Sequence, residues 1–413
     1  MKKSGKVLIT NATHISLAAT RSLGQKGIEV TAVSPDKHSI TFYSRYCKHK
    51  FVTSITQEKD IYLDDLVQIV KNEKFDVLLP GGSDLIFTIS KYRNKFSPYT
   101  KIPIASTDSI EITRDKSKTL KFAMKLGIPC PKTFFFEDID PSNMKELAIE
   151  IGFPAVIKPN IGSGARGISY ANSLEELEDV YARTVKQYGP SLIQEFIKGK
   201  PYSSSALFNS NSQPRRICIQ QGLRELPPTG GTQIYCISTR QQEIFDNTLE
   251  LLKAMKWYGI AGLDFILDDR DQKPKFLEIN PRFYGSLCLA IAAGVDYPYL
   301  LYRLAMDGDI EPDFNYKTGV KCRYLFPKEL KYFSYVFRNR AAMSSRNLYP
   351  SRVFLDFIRF YEPNLNYFVM SADDPFPAVV NSILYISGLI KRNIYKIKNK
   401  NLSLIRDEIE EDR

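Results

Sequence analysis

Two strand-like runs in this chain carry polar side chains on one face, and this pattern limits the folds that the chain can adopt. The first run is Gly262–Leu267 and the second is Phe276–Arg282, and the polar segment between them predicts a β-hairpin. Side chains alternate between the two faces of a strand, so Glu278 and Asn280 share one face. A hairpin centred on this polar segment also places Asp264 on that face, opposite Glu278.

Two carboxylates and one amide oxygen on one face make a hard, oxygen-only site. Mg²⁺ prefers such ligands and fills its remaining positions with phosphate and water. Arg282 follows two residues after Asn280 and can hold a phosphate or acyl-phosphate oxygen in a bidentate fork. The alternative is that these acids lie on the solvent-exposed edge of the hairpin and bind no metal. We predict the metal site, because Glu278 and Asn280 interrupt an apolar run at alternate positions.

Three earlier segments supply what a metal–nucleotide site needs. Gly152–Pro159 reads as a short buried strand with Lys158 near its end. The glycine loop Asn160–Ile168 follows, and its backbone N–H groups can close on phosphate oxygens. This loop does not end in the Gly-Lys-Ser/Thr sequence of a Walker motif, and it does not match the glycine pattern of dinucleotide-binding proteins. Leu192–Gly199 is a strand that leads into a glycine turn, where a hinge can offer backbone groups to an adenine edge.

Together with Arg114-Asp115-Lys116 before a helix, these motifs resemble the ATP-grasp superfamily, in particular its carboxylate–amine ligases and its carbamoyl-phosphate-synthase-like members. The resemblance runs from about Asp115 to Gly294. It implies an α/β (α+β) chain in which two α/β lobes follow a Rossmann-like parallel-sheet domain. It also implies ATP and Mg²⁺ as cofactors, with Mn²⁺ as an alternative metal.

The resemblance also implies a role for individual residues. The residues expected to bind the nucleotide are Lys116, Lys158, Gly162, Ser163, Gly164, Gly167, Glu195, Phe196 and Ile197. The expected metal ligands are Asp264, Glu278 and Asn280, and the residues expected to act in catalysis are Arg282, Lys158 and Arg166. One position departs from the family's pattern: Lys200-Pro201 stands where many relatives carry an acid for the ribose hydroxyls.

The beginning of the chain predicts a parallel sheet. Lys6–Thr10 opens directly as a strand, so we expect neither a signal peptide nor a transit sequence. A helix around Ser16–Lys26 and a strand at Ile28–Val33 complete a βαβ unit. The strand in Phe75–Asp84 ends in a glycine turn, which either shapes the second substrate's pocket or simply leads into a helix.

We expect four regions: 1–112 as the Rossmann-like domain, 113–196 as the small lobe with a linker helix, 197–309 as the large lobe with the metal site, and 310–413 as a C-terminal extension with a helical, basic tail. In the large lobe, Arg224, Gly230 and Gly231 lie in a predicted loop. This loop either closes over a carboxylate substrate or is an ordinary surface loop.

The composition of the chain limits the classes of ligand that it is expected to bind. The chain has 413 residues and a net charge of +11, which favours small anionic ligands, and it contains no recognised nucleic-acid module. Its six cysteines form no Cys-x-x-Cys pair and its three histidines lack metal spacing. We therefore expect a reducing cytoplasmic location, no zinc site, and structural or solvent-facing histidines. The sequence gives no oligomeric state.

Near the end of the chain, the apolar run Pro377–Ile390 precedes a basic cluster and is too short to span a bilayer. It is either a helix packed on the protein or an interfacial helix, with residues 377–400 touching the inner, anionic surface of a membrane.

The predicted activity is an ATP-dependent ligase that activates a carboxylate as an acyl phosphate and joins it to an amine, releasing ADP and phosphate. Both substrates would be small molecules, and the sequence identifies neither the acid nor the amine. One alternative keeps the fold but stops at phosphoryl transfer or forms carbamoyl phosphate. The other is a non-catalytic, ATP-binding regulator at a membrane surface.

Overall fold

A computed structural model describes residues 5–53, 59–140, 142–162, 164, 166–344 and 347–392 of the chain. Ser163, which the sequence assigned to the nucleotide, and the basic residues after Arg392 lie outside this part.

The amino-terminal region is built on a parallel sheet. Its elements in chain order are β1 (Lys6–Thr10), α1 (His14–Gln25), β2 (Glu29–Ser34), a 3₁₀ turn (Ile40–Tyr43), β3 (Cys47–Val52), α2 (Lys59–Glu73) and β4 (Val77–Leu79). The strand order is β3-β2-β1-β4, and each pairing is parallel. The predicted βαβ unit is therefore confirmed. Because all four strands run the same way, their carboxyl ends meet at one edge.

Four helices lead from this sheet to the next lobe. They are α3 (Ser83–Lys91), α4 (Arg93–Phe96), α5 (Thr107–Arg114) and α6 (Lys116–Lys125). The pattern from Thr113 to Gly127 predicts a single helix, but Thr113 belongs to α5. Asp115 is extended and caps the next helix, because its carboxylate accepts hydrogen bonds from the N–H groups of Ser117 and Lys118. Lys116 is consequently the first residue of α6.

The small lobe is an antiparallel sheet covered by two helices. Its elements are β5 (Thr133–Phe134), a 3₁₀ turn (Phe136–Asp138), α7 (Met144–Ile151), β6 (Ala155–Pro159), β7 (Ser169–Ala171), α8 (Leu174–Tyr188) and β8 (Ser191–Glu195). The strand order is β5-β8-β6-β7. The pattern from Ser173 to Gln187 predicts an amphipathic helix. The observed helix is α8, which has Ser173 as its N-cap and buries Leu177 and Thr184.

The remaining strands form one seven-stranded sheet. The elements are β9 (Gly199–Phe208), β10 (Pro214–Leu226), β11 (Thr232–Thr239), α9 (Gln242–Ala254), β12 (Gly259–Asp268), β13 (Pro274–Asn280), α10 (Leu287–Ala292), α11 (Tyr297–Asp307), β14 (Lys321–Arg323), a π-type turn (Leu325–Glu329), α12 (Leu330–Arg338), α13 (Arg340–Ser344), α14 (Pro350–Ile358) and β15 (Leu365–Tyr367). The order is β13-β12-β9-β10-β11-β14-β15. The hairpin predicted from the two polar runs is β12 and β13.

This sheet continues into the last part of the chain. β14 pairs with β11, and β15 pairs with β14. Asp374 is buried and accepts hydrogen bonds from Arg21 (2.9 Å) and Ser44 (2.6 Å) of the amino-terminal region. The four-region division stays a proposal, but β14, β15 and Asp374, which all come after residue 309, are hydrogen-bonded to earlier parts of the fold.

Residues 376–392 form a final helix that includes the predicted apolar run. Across the part of the chain that the structure describes, no helix combines the length and the apolar character needed to cross a membrane. The six cysteines are free thiols, and the sulfur atoms of Cys288 and Cys322 lie 2.9 Å apart, a proximity that their sequence positions did not indicate.

Candidate active site

A cavity of about 1070 Å³ lies where the parallel sheet, the small lobe and the large sheet meet. Of the residues predicted for the site, those that line it are Lys116, Lys158, Gly162, Gly164, Arg166, Glu195, Phe196, Ile197, Gly230, Gly231, Asp264, Glu278, Asn280 and Arg282. The fold thus brings together motifs that are more than 160 positions apart in the sequence. Their roles stay predictions, and the geometry below shows what each can do.

The acidic hairpin has the register that the sequence predicted. Asp264 lies opposite Glu278 and Gly262 opposite Asn280, and the register shifts just after Asp264. Gly262 leaves room for the ring of Tyr284, because a methyl group at this glycine would come 2.6 Å from that ring. The hydroxyl of Tyr284 can therefore reach Asp264.

Asp264 is held by several donors. Its Oδ1 accepts hydrogen bonds from the hydroxyls of Ser203 (2.8 Å) and Tyr284 (2.5 Å), and its Oδ2 accepts one from Asn280 Nδ2 (3.1 Å). Burial raises the pKa of Asp264 to about 7, and the negative charge of Glu278 adds to this effect. Two neighbouring carboxylates, one of them buried, favour the binding of a cation at this site.

The donor set fits Mg²⁺. Asn280 Nδ2 also lies 3.5 Å from Glu278 Oε1, so the amide already spans the two carboxylates. The positive charge nearest to Glu278 is Lys116 Nζ, 3.6 Å from Oε2. The described residues contain no group of three or more His, Cys, Asp or Glu side chains that could hold a metal. Asn280 Oδ1 faces Arg282, so the amide would turn over to offer its oxygen to a metal. A Mg²⁺ ion here would then take two carboxylates and that oxygen, and the rest from phosphate and water.

The two predicted lysines reach the cavity from different elements. Lys158 lies near the end of β6 and donates to Gln194 Oε1 at 2.7 Å. Burial lowers the pKa of Lys158 to about 8, while the negative charge of Glu278 acts in the opposite direction. Lys116 donates through Nζ to the carbonyl of Gly162 at 2.9 Å, which ties α6 to the glycine loop.

Most of the described part of the glycine loop faces the cavity. Gly162, Gly164 and Arg166 line it, and Gly164 has a positive φ of 65°. Gly167 does not line the cavity. Its hydrogen faces Pro159 and Tyr188, and a methyl group there would come 2.7 Å from Pro159. This glycine is therefore required for packing, and its predicted contact with nucleotide stays untested.

The predicted hinge forms another wall of the cavity. Glu195 accepts a hydrogen bond from the backbone N–H of Lys132 (2.8 Å) and forms an ion pair with Arg270 (2.9 Å). Phe196 packs edge-on against Tyr170, with ring centroids 6.1 Å apart. These contacts hold Glu195 and Phe196 in place, so the hinge can serve as a rigid wall for a planar ligand.

Sequence reasoning missed an acidic side chain in this cavity. Glu225 lines it, and burial raises the pKa of Glu225 to about 7, with the charge of Asp264 as the second cause. We read this segment as a loop, but Glu225 lies in β10 opposite Gln233 of β11. Only that cross-strand pairing could have revealed it.

A buried hydrogen-bonded chain behind Asp264 was also missed. Gln233 Nε2 donates to Ser203 Oγ (3.1 Å), and Gln220 Nε2 donates to Gln233 Oε1 (2.7 Å). Ser286 Oγ then donates to Gln220 Oε1 at 2.5 Å. These residues come from three different elements and fix the orientation of Ser203, which in turn holds Asp264.

Arg282 joins the hairpin to the amino-terminal region. Its Nη2 donates to Asn280 Oδ1 (3.1 Å) and its Nε to Ser83 Oγ (3.2 Å). Ser83 and the preceding Gly81 and Gly82 line the cavity, at the carboxyl edge of the parallel sheet. The glycine turn after β4 therefore shapes the cavity, while its contact with a second substrate stays a prediction.

His14 also lies in the cavity, whereas the sequence favoured a structural or solvent-facing residue. Its ring is 5.1 Å from Tyr324 and 6.1 Å from Phe368, between centroids. Burial lowers the pKa of His14 to about 4, and the positive charge of Lys328 contributes next. The histidine is therefore neutral at physiological pH.

Arg224 was predicted in a loop that either closes over the substrate or lies on the surface, but it lies in β10 and does not line the cavity. Its guanidinium is paired with Glu329 (2.9 Å) and Asp356 (3.2 Å). Both acids come from the last part of the chain, which the sequence could not place next to β10. The substrate role of Arg224 stays untested, and we leave it out of the proposal below.

Comparison with known proteins relates part of this chain to a known family. Residues 113–286 match the family model described as an ATP-grasp domain. The carbamoyl-phosphate synthase of Methanobrevibacter smithii is 24% identical over 240 residues, which cover 56% of this chain and 63% of that protein. The aligned part thus spans less than two thirds of that relative.

Two solved structures share the fold. Biotin carboxylase of Campylobacter jejuni, solved as a β-γ-ATP complex, superposes with a TM-score of 0.64 at 18% identity, covering 76% of this chain and 74% of that one. The L-amino acid ligase of Bacillus licheniformis gives a TM-score of 0.58 at 16% identity, covering 76% and 78%. The resemblance predicted from five motifs is therefore confirmed: residues 113–286 of this chain are an ATP-grasp domain, preceded by a parallel-sheet region and followed by strands that extend its large sheet.

Proposed function

We propose that this protein is an ATP-dependent ligase that activates a small carboxylate as an acyl phosphate and joins it to an amine, releasing ADP and phosphate. The observation that carries the proposal is the convergence of Asp264, Glu278 and Asn280 with Lys116 and Lys158 on one cavity inside an ATP-grasp domain. An oxygen-only ligand set beside buried cations suits a metal-bound triphosphate.

ATP would lie between the small lobe and the large sheet. Glu195 to Ile197 would contact the adenine, while the glycine loop, Lys116 and Lys158 would hold the phosphates. Asp264, Glu278 and Asn280 would bind Mg²⁺, whose chemistry there is to offset the charge of the triphosphate. Glu225 lines the same cavity and is our candidate for the ribose contact, because Lys200 does not line it and Pro201 carries no polar side chain.

In the first step, a carboxylate oxygen of the substrate attacks the γ-phosphorus in line, the bond to the β–γ bridging oxygen breaks, and ADP leaves. Arg282 stabilises the transferred phosphoryl group, and Lys158 and Arg166 offset its negative charge. A carboxylate is already a competent nucleophile, so these residues act by positioning and electrostatics.

In the second step, an amine attacks the acyl carbon, loses a proton and expels phosphate, leaving an amide. Closure of the glycine loop over the cavity would keep water from the acyl phosphate. The turn after β4, which reaches Arg282 through Ser83, is the expected binding place for part of the acid.

The proposal is tested by incubating the protein with Mg-ATP, pools of carboxylates and hydroxylamine. Hydroxylamine replaces the unknown amine and converts an acyl phosphate into a stable hydroxamate. We expect ADP and one hydroxamate to form together from a responsive pool. ADP formation that needs an acid but proceeds at the same rate with and without hydroxylamine would instead favour a phosphoryl-transferring or carbamoyl-phosphate-forming enzyme. A protein that binds ATP without any turnover would favour a non-catalytic regulator.

A further inference from the structure

The final helix, residues 376–392, carries its apolar side chains on the outside. Phe376, Val379, Ile383, Ile386 and Ile390 follow one another at intervals of three and four residues, so they lie on one face of the helix. Each of them is between 51% and 68% exposed. A surface helix normally turns its apolar face to the core, and this helix does the opposite. We call these five residues the outer stripe.

The opposite face of this helix is attached to the protein. Asn381 Nδ2 donates to the carbonyl of Phe326 at 3.2 Å. Tyr385 packs edge-on against the ring of Phe326, with centroids 5.3 Å apart, and Lys331 Nζ lies 4.9 Å from the centre of the Tyr385 ring. Because these contacts fix the helix by its other side, it cannot bury the outer stripe by rotating.

Apolar exposure is concentrated in this part of the molecule. More than half of the large hydrophobic side chains that are exposed among the described residues lie between positions 337 and 390. Leu355, Phe360 and Tyr361, on and after α14, are 57% to 86% exposed. Apolar exposure on this scale marks an interaction surface more often than an ordinary protein surface.

The charge around the outer stripe indicates which partner covers it. From Pro375 to Arg406 the sequence contains no Asp or Glu, and its six basic residues are Lys391, Arg392, Lys396, Lys398, Lys400 and Arg406. Acids return only at Asp407. Two copies of the chain packed in parallel along the stripe would bring these positive segments together. An antiparallel pair would bring Lys391 and Arg392 near Asp373 and Asp374 of the other copy, but these acids are already paired with Arg45 and Arg21. An anionic surface complements the positive segments directly.

We propose that the outer stripe docks this protein onto a bilayer surface rich in anionic phospholipid. The apolar side chains of the stripe would enter the boundary between headgroups and acyl chains, and Lys391, which follows the last residue of the stripe, would lie against lipid phosphates. This docking is independent of the ligase activity proposed above.

The test is co-sedimentation of the full chain with vesicles of phosphatidylcholine, and with vesicles in which about a third of the lipid is phosphatidylglycerol. We expect binding to the second kind, weakening as salt is raised. Ile383→Asn and Lys391→Gln should each weaken the binding about fivefold, the effect of about one apolar contact or one cation at the surface.

The matched controls are Ile149→Asn and Lys145→Gln on α7. Ile149 is 77% exposed but lies in the small lobe, so neither control should change vesicle binding. ATP turnover should be unchanged in all four variants, which separates this proposal from the proposed function.

Three results would overturn the docking proposal. The first is equal binding of Ile383→Asn and the unaltered protein to anionic vesicles. The second is absence of vesicle binding together with a dimer, seen by light scattering, that Ile383→Asn dissociates, which would assign the stripe to a second copy. The third is binding that appears only after residues 393–413 are removed, which would assign the stripe to the chain's own end.

Discussion

Replacing Glu278 with Gln should abolish the turnover of ATP while changing the stability of the nucleotide-free protein only slightly. Glutamine keeps the shape of the side chain but removes one of the two negative charges on the hairpin. Without a cation these charges repel each other, which is one reason that the pKa of Asp264 is raised to about 7. With Mg-ATP bound, the same charge would be needed to hold the metal.

The magnitude follows from the geometry. A single amide nitrogen lies 3.1 Å from Asp264 Oδ2 and 3.5 Å from Glu278 Oε1, which sets the carboxylates roughly 5 Å apart. At an effective dielectric constant of about 20, two like charges at this distance repel by about 3 kcal/mol. The substitution also removes the attraction between Glu278 and Lys116 Nζ, 3.6 Å away, which is of similar size and opposite sign. Because Glu278 is 37% exposed, water screens both interactions, and we expect the free energy of unfolding at pH 8 to change by less than about 1 kcal/mol.

Two measurements on Glu278→Gln check this reasoning. Denaturation without ligand should show nearly unchanged stability, whereas the rise in melting temperature that Mg-ATP gives the unaltered protein should be lost. Turnover should fall at least a hundredfold, or about 3 kcal/mol in the barrier. Glu250→Gln on α9 is the control and should change neither quantity. Normal turnover of ATP by the variant would refute the assignment of Glu278 to the metal site. A change of more than about 2 kcal/mol in the free energy of unfolding would refute the balance between repulsion from Asp264 and attraction to Lys116.

Three further predictions concern other cavity and interface residues. Lys158→Met should raise the Kd for a fluorescent ATP analogue at least tenfold while the protein still unfolds cooperatively, since it removes a buried cation that faces the phosphates; an unchanged Kd would exclude this contact. Arg224→Met should lower the free energy of unfolding by about 2 kcal/mol, because Glu329 then keeps only Arg323 as a partner, and it should leave the KM for the acid unchanged. A raised KM with unchanged stability would return Arg224 to the substrate. For His14, the folded pKa of about 4 lies below the ordinary value of 6.5, so the unfolded chain takes up a proton that the folded protein does not bind. Stability should therefore be lost as pH falls from about 6.5 to 4, and His14→Phe should flatten that dependence in urea titrations, with equal slopes counting against it.

The hairpin was accessible from sequence because its information is local. Alternation along a strand has a period of two, so the spacing of Glu278 and Asn280 fixes their common face, and a short turn fixes the register with Asp264. The start of α6 is likewise local. Asp115 is a good N-cap, and recognising it as such would have corrected the helix boundary.

Other parts of the site depend on contacts between distant segments. Glu225 enters the cavity only because β10 pairs with β11, and Gln233 reaches Ser203 through the pairing of three strands. Arg224 is drawn away from the cavity by Glu329 and Asp356, which lie 105 and 132 positions later. No periodicity or spacing within one segment carries that information.

The final helix illustrates a third situation. Its apolar run predicted a helix, but not which face the protein would cover. The face that packs on the protein is held by Asn381 and Tyr385, while Ile383 and Ile386 remain exposed. Ordinary amphipathic reasoning assigns the opposite orientation, because it takes the protein core as the only apolar environment.

The proposed attack of a carboxylate oxygen on the γ-phosphorus can be tested by following that oxygen from the acid to the released phosphate. Once the screen has identified a responsive carboxylate, it is supplied with ¹⁸O in both carboxylate oxygens, and the released phosphate is examined by mass spectrometry. If a carboxylate oxygen attacks the γ-phosphorus, each amide formed should be accompanied by one phosphate that carries one ¹⁸O. Unlabelled phosphate formed in step with the amide would show that no acyl phosphate was made, and would contradict the proposed chemistry.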